Sequence, residues 1–349
     1  FRSVLSIKQV ILTSVLSVLA FAVQAQTQKV EVLEYHPAPG QFVNTLPAAD
    51  ENSTQDDVNQ GCEEQLSGDG LVHLGTYGGY ITVKFDHPIE NKPGSDILIL
   101  GNGFYSNADP IYGKETIGGS IEPGIVYVGV GKNLEEAKWY ELAGSEYYTS
   151  EIHDFQITYY KPTAESGDHT QFSSSYDKYI KWECSWTDKN GEHRDSTGYH
   201  MKNVSHKQTY WPIWEGKDEL TFKGGKLPNN AIETSGKGTY WIQYRYAKDA
   251  YGYVDASPAT DSLYSSFDIN WAVDDEGNQV VLDHIDFIRV KTGIFQYCGW
   301  LGETSTEINS IADLHLIEGY DDKPFVITPR QRPTTGITRP TIHVVEDDI

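Results

Sequence analysis

One methionine, three cysteines and a shortage of basic side chains set the first limits on this chain of 349 residues. Lys and Arg number 27 against 50 Asp and Glu, a formal balance of −23, and no stretch gathers the bases into a patch. A surface of that sign repels phosphate backbones and anionic headgroups, which excludes a nucleic-acid or membrane-surface binder. Catalytic signatures are missing as well. There is no G-x-S-x-G elbow, H-E-x-x-H pair, P-loop, C-x-x-C or Rossmann glycine pattern, so none of the chemistries those motifs carry is declared. Helical periodicity is scarce, and no internal repeat of roughly 20 to 50 residues is visible, which argues against a propeller or solenoid.

What the chain has instead is 12% aromatic residues and 32 Gly, set in period-two patterns. Ile81, Val83 and Phe85 share one face, with Tyr80, Thr82 and Lys84 on a wet side. Phe155, Ile157 and Tyr159 form another stripe. In Ile180, Trp182, Cys184 and Trp186 the same alternation turns Lys181, Glu183 and Ser185 away. With further runs at 97–100, 125–130, 139–142, 220–222, 240–246, 267–273 and 280–290, at least about ten strands are implied. Gly191 and Gly277 sit where hairpin turns want positive φ. The one clear helical stretch is Thr54 to Leu66, where Val58, Cys62 and Leu66 recur every fourth residue. These patterns predict an all-β fold, a large antiparallel β-sandwich of jelly-roll type with few short helices, in a single domain over residues 26–325. The connections Gly101 to Gly124 and Thr187 to Glu219 are expected at its rim, where function concentrates.

Arg2 and Lys8 flank the start of an apolar run from Val10 to Val23, followed by Val23-Gln24-Ala25. This is the pattern of a secretory signal over residues 1–25, shorter than the ~20 apolar residues of a membrane span. The expected location is secreted or cell-surface, with no transmembrane segment after signal removal. The opening Phe reads as a fragment lacking its start. Residues 326–349, with Pro329, Pro333 and Pro340 among Arg330, Arg332 and Arg339, read as a tail or linker. In an oxidising compartment Cys62, Cys184 and Cys298 allow one bridge and one free thiol, with every pairing open. Cys184, inside an apolar strand pattern, reads as a small buried hydrophobe.

Candidate chemistry is sparse. Asp86, Glu122, Asp268 and Asp286 could supply a carboxylate pair of the kind glycosidases use. His200 and His206, near Asp195, match no metal-ligand spacing and read as solvated loop residues. The turn Asp274 to Asn278 offers oxygens to Ca²⁺, although a solvated hairpin tip is the better reading of it. No other cofactor is expected. The aromatic residues are more specific: Tyr210, Trp211 and Trp214 lie in a loop region, and Trp241 alternates away from Tyr240, Tyr244 and Tyr246. Such rings either stack on a sugar or flat ligand or pack beneath long loops. On the first reading Tyr210, Trp211, Trp214 and Trp241 are the ligand-binding residues.

Several ordered words carry a resemblance. They include V-L-E-Y-H-P-A-P-G-Q-F-V-N at 32–44, L-G-T-Y-G-G-Y-I-T-V-K-F-D-H-P-I-E-N at 74–91 and L-G-N-G-F at 100–104. E-P-G-I-V-Y-V at 122–128, W-Y-E-L-A-G-S-E at 139–146, F-D-I-N-W-A-V-D at 267–274, I-D-F-I-R-V-K-T-G at 285–293 and G-W-L-G-E-T-S-T-E at 299–307 continue the series. Together they resemble a family of secreted or cell-surface proteins of Bacteroidetes-type bacteria. The resemblance implies capture of a glycan or small ligand, including a corrinoid, alongside outer-membrane uptake proteins. Relatives carry a calcium-loop-like insert between the E-P-G-I-V and W-Y-E-L strands. Here that interval, Gly129 to Lys138, lacks the Asp spacing, so no cation is expected in it. The alternatives to a non-catalytic binding protein are a glycoside hydrolase or lyase with a carboxylate pair and a structural or adhesive surface module.

Overall fold

Phe155, Ile157 and Tyr159 are all buried in the strand Ile152–Tyr160 of the computed structural model, which describes residues 28–112, 114–163, 177–202, 206, 208–261 and 263–317. Residues 1–25, read as a signal, and residues 326–349, read as a tail, lie outside the described residues. Ile157 pairs with Cys184 of the strand Asp177–Thr187, and Lys181 and Glu183 point out while Cys184 is buried. Period two therefore reports burial faithfully along Ile152–Tyr160. Its order runs from His193–Lys202 through Asp177–Thr187 and Ile152–Tyr160 to Glu219–Lys226.

The largest sheet orders Glu31–His36, Tyr80–Lys84, Phe287–Thr292, Gly124–Val130, Lys138–Leu142 and Ala272–Val273. Ile81, Val83, Val126, Val128, Ile288 and Val290 bury one another in the main apolar cluster. The opposite face is not wet as expected. Thr82 is fully buried, and Arg289 donates to Thr82 Oγ1 at 2.8 Å and to Glu34 Oε2 at 2.7 Å while stacking over Tyr80 and Trp139. A polar strand position can thus be buried when a guanidinium covers it.

The helix forms as read, Gln55–Leu66, with Val58, Cys62 and Leu66 inward. Thr54 caps it by accepting from the Asp57 amide, and Asp57 accepts from the Thr54 amide in return.

The all-β reading holds, but the sheets form a four-bladed, propeller-like ring and not a clear jelly-roll sandwich. A smaller four-stranded sheet orders Ala231–Glu233, Trp241–Tyr244, Gly118–Ser120 and Phe104–Tyr105, and a three-stranded one orders Ser266–Phe267, Ile97–Leu100 and Ser310–Asp313. The lack of a repeat misleads here because the sheets are assembled from distant segments: Phe287–Thr292 lies between Tyr80–Lys84 and Gly124–Val130. The two expected rim connections also contain strands, His193–Lys202 in one and Phe104–Tyr105 with Gly118–Ser120 in the other. All three cysteines are buried and free, so no bridge forms among them.

The three-stranded sheet ends in an ionic cluster. His315 Nδ1 lies 2.9 Å from Asp313 Oδ1 and its Nε2 3.2 Å from Asp96 Oδ1. Asp313, then Asp96, push the imidazole up to about 9. A histidine raised on folding stabilises fully below its unfolded value near 6.5 and loses that contribution as pH rises through about 9. Urea unfolding of the wild type between pH 6.5 and 9.5 should therefore lose more stability than the same series on His315→Gln. Equal slopes would refute the assignment. Thr54→Ala should cost about 1 kcal/mol through the lost cap, with Thr54→Ser close to wild type in the same measurement.

Candidate functional site

Three of the four expected ligand-stacking residues are interior. Tyr210 and Trp211 are fully buried beside Tyr77, Tyr179 and Phe155, and Trp214 is buried against Tyr35 with ring centroids 5.9 Å apart. Their loop is pinned from outside: Asn44 Nδ2 donates to the Trp211 carbonyl at 2.8 Å, and the Gly40 amide donates to the Tyr210 carbonyl at 2.9 Å. Their rings pack inward and stabilise the loop. Trp241 alone stays partly exposed, on the sheet whose outer strands expose Phe104 at 58% and Ile232 at 57%. Asp274 uses its carboxylate to close its own turn, accepting the amides of Glu276 and Asn278. The Asn278 amide leads in holding that carboxyl below its usual range.

The four acids considered for catalysis separate into three places. Asp268 receives the Asn270 amide in the turn beside Asp96, and burial pushes it up to about 7. Asp86 and Asp286 line a surface groove of about 430 Å³ at the edge of the largest sheet. Its lining combines Phe85 and Phe287, both largely buried, with Lys84, His87, Lys132 and Asn133. Asp286 Oδ2 accepts the Gly131 amide at 2.8 Å and so sets the loop that follows Gly124–Val130, which is the interval compared with the calcium-loop insert. The Asp86 side chain is 95% exposed and bonded to His87 at 2.6 Å, a contact that raises the imidazole.

Glu122 lies elsewhere, in a buried polar network that the sequence did not reveal. Ligand oxygens of Glu122, Asp255 and Glu307 fall within 4.8 Å of one another, and among the described residues this is the group whose carboxylates could hold a hard cation. Burial, then the neighbouring acids, push Glu122 and Asp255 well above the usual carboxylate range. Asp255, at φ 58, accepts the amides of Asn102 and Gly103 on Oδ1 and of Glu307 on Oδ2. Glu307 Oε1 is 2.6 Å from His73 Nδ1, and His73 Nε2 is 3.7 Å from Glu303. Burial would lower His73, but Glu303 and Glu307 outweigh it and bring it to about 9. His200, expected in solvent, is buried in His193–Lys202 and lies 4.0 Å from Glu303. Desolvation lowers its imidazole. His206 remains half-buried, its ring edge-on to Phe42. No sequence signal could have joined these residues, because Glu122, Asp255 and Glu307 lie on segments far apart in the chain.

No family model matches the chain, and no curated protein matches it. No helix among the described residues is long and apolar enough to cross a membrane.

The network makes a direct prediction. Asp255→Ala leaves three buried amides without an acceptor and should cost at least about 3 kcal/mol in urea unfolding. Asp255→Asn keeps one acceptor oxygen and tolerates the positive φ, so it should fall between alanine and wild type. An Asn variant as unstable as Ala would show that the amide bonds to Oδ1 contribute little.

Proposed function

We propose that the protein is an exported, non-catalytic binding protein of the cell surface that captures a carbohydrate or another small polar ligand in the groove between Lys84–Pro88 and Gly131–Leu134. The observation that carries this reading is the groove itself, about 430 Å³ and lined by two aromatic residues together with side chains of both signs of charge. Ligand sites of a few hundred cubic ångströms combine an apolar surface with a few converging polar groups. Phe85 and Phe287 supply the first. Lys84, Asp86, His87, Lys132 and Asn133 supply donors and acceptors for hydroxyls.

Export rests on the signal pattern, and the link to glycan or corrinoid uptake rests on the sequence resemblance. Within the groove the carboxylates are poorly placed for hydrolysis: Asp86 is solvated, and one Asp286 oxygen already holds the Gly131 amide. A catalytic acid instead needs an enclosing apolar environment. This reading depends on the ends of neighbouring strands of the largest sheet and on one loop.

Calorimetric titration of the mature chain against a glycan panel and against cobalamin tests the proposal. At least one glycan should bind at millimolar concentration or better, and Lys132→Ala and Asp86→Ala should each weaken it by about tenfold, equivalent to about 1.4 kcal/mol. No binding across the panel, or variants that bind like wild type, would reject the groove as the ligand site. Binding confined to cobalamin would move the ligand class away from carbohydrate.

A further inference from the structure

Lys226 closes the strand Glu219–Lys226 at one edge of the sheet that contains Asp177–Thr187. Its amine donates to the Leu227 carbonyl at 3.1 Å and lies 5.7 Å from the centroid of the Phe155 ring. Among the described residues no carboxylate pairs with it, although acids outnumber bases in this chain by 50 to 27. The surface lysines Lys84, Lys92, Lys181 and Lys217 each have such a partner, in Glu31, Glu90, Glu183 and Glu215. A half-buried ammonium without a counter-charge costs free energy, so its presence calls for an explanation.

The surroundings are aromatic. Phe155 is buried and meets Trp186 with ring centroids 5.8 Å apart and Phe295 at 6.3 Å, and Phe295 meets Trp182 edge-on at 5.0 Å. Trp182, Trp186 and Phe295 are half-buried, as Lys226 is, so the cluster reaches the surface. Burial in this setting brings the ammonium down to about 8, because desolvation disfavours the charged form and no carboxylate restores it. Cys184 acts on the amine as well, but burial raises that thiol and keeps it neutral. Lys291 is also lowered to about 8 by burial, against the pull of Glu141 and Glu151. It is 5% exposed, however, and its amine is held by Tyr77 Oη and the Lys223 carbonyl. Lys226 is the lowered amine of the two that a reagent can reach.

We propose that the Lys226 amine is a nucleophile that captures an aromatic aldehyde as a Schiff base, with the ring of the aldehyde packed against Phe155, Trp186 and Phe295. A lysine that has lost its proton in an apolar setting is the form that attacks carbonyl carbons. The amine lone pair adds to the carbonyl carbon, and both amine protons then leave with the carbonyl oxygen as water. One C=N bond replaces one C=O bond, and no oxidant or reductant is consumed. The half-buried rings suit a flat apolar body better than an aliphatic one. The reaction is stoichiometric capture that hydrolysis reverses, and none of these residues lines the groove beside Lys84–Pro88. The competing account is purely structural: Lys226 lays its stem along Phe155 and its amine stays shielded. The two accounts differ in how the amine meets a reagent.

The test treats the whole chain at about pH 8 with benzaldehyde and cyanoborohydride, which reduces the imine to a stable secondary amine, and maps the label by peptide mass spectrometry. At low conversion Lys226 should carry at least about ten times the label of Lys84, Lys92, Lys181 or Lys217. Propanal in the same protocol should show a smaller preference. Lys226→Arg keeps a cation over Phe155 and should lose the fast-labelling site while the surface lysines label as before. Label on Lys226 no greater than on the surface lysines overturns the proposal from the wild-type map alone, however the variant folds. An equal preference with propanal overturns the aromatic class of the aldehyde.

Discussion

The carboxylate of Asp255 is the point at which separate sheets are tied together. Its Oδ1 accepts the amides of Asn102 and Gly103, just past the strand Ile97–Leu100, and its Oδ2 accepts the amide of Glu307 in the ribbon opposite His73. Its main-chain oxygen takes the Glu122 amide, immediately before the strand Gly124–Val130. One residue thereby joins the three-stranded sheet, the histidine-bearing ribbon and the largest sheet. Burying a carboxylate is costly, and several N–H donors are what make it tolerable. The backbone conforms to the same demand: Asp255 holds φ 58, and Gly101 lacks the Cβ that would strike its side chain.

Because that anchor is acidic, the interior around it is polar and has to be compensated. Glu122 and Glu307 crowd Asp255, Glu307 lies 2.6 Å from His73 Nδ1, and His73 Nε2 lies 3.7 Å from Glu303. An imidazole between two acids supplies positive charge where a hydrophobic core could not. Aromatic residues then seal the network from water, with Phe42 edge-on to His73 at 5.4 Å and Tyr210 edge-on to His200 at 5.9 Å. The acid excess of the chain therefore has two parts, a solvated surface and a buried set that needs partners.

How much of this the sequence discloses depends on the range of the interaction that decides it. The helix from Gln55 is legible because its cap, Thr54 with Asp57, and its stripe are local. Cys184 and Ile157 are legible because alternation reports the face of a strand whatever its partner. His193–Lys202 escapes, since its polar side chains alternate weakly and it becomes a strand by pairing along Asp177–Thr187. The fate of Tyr210 and Trp211 is set by Asn44 and Gly40, more than 160 residues earlier for Asn44, so composition could identify the rings but not their burial. The propeller-like ring is illegible for the same reason: its sheets are joined across the chain and repeat no local pattern.

The groove is not independent of the fold's ionic clusters. His87 on its wall is bonded on one side to the exposed Asp86 and on the other lies 3.2 Å from Asp313 Oδ2. Asp313 in turn bonds His315, which reaches Asp96 beneath the three-stranded sheet. Asp96 accepts the amides of Lys92 and Ile269 and so fixes the approach of two further segments. A ligand hydroxyl or anion that draws on His87 competes with Asp86 and Asp313 for the same protons, while Asp313 keeps His315 as its other partner. The chain of bonds thus has an exposed end at His87 and Asp86 and a buried end at Asp96 that is held by backbone amides.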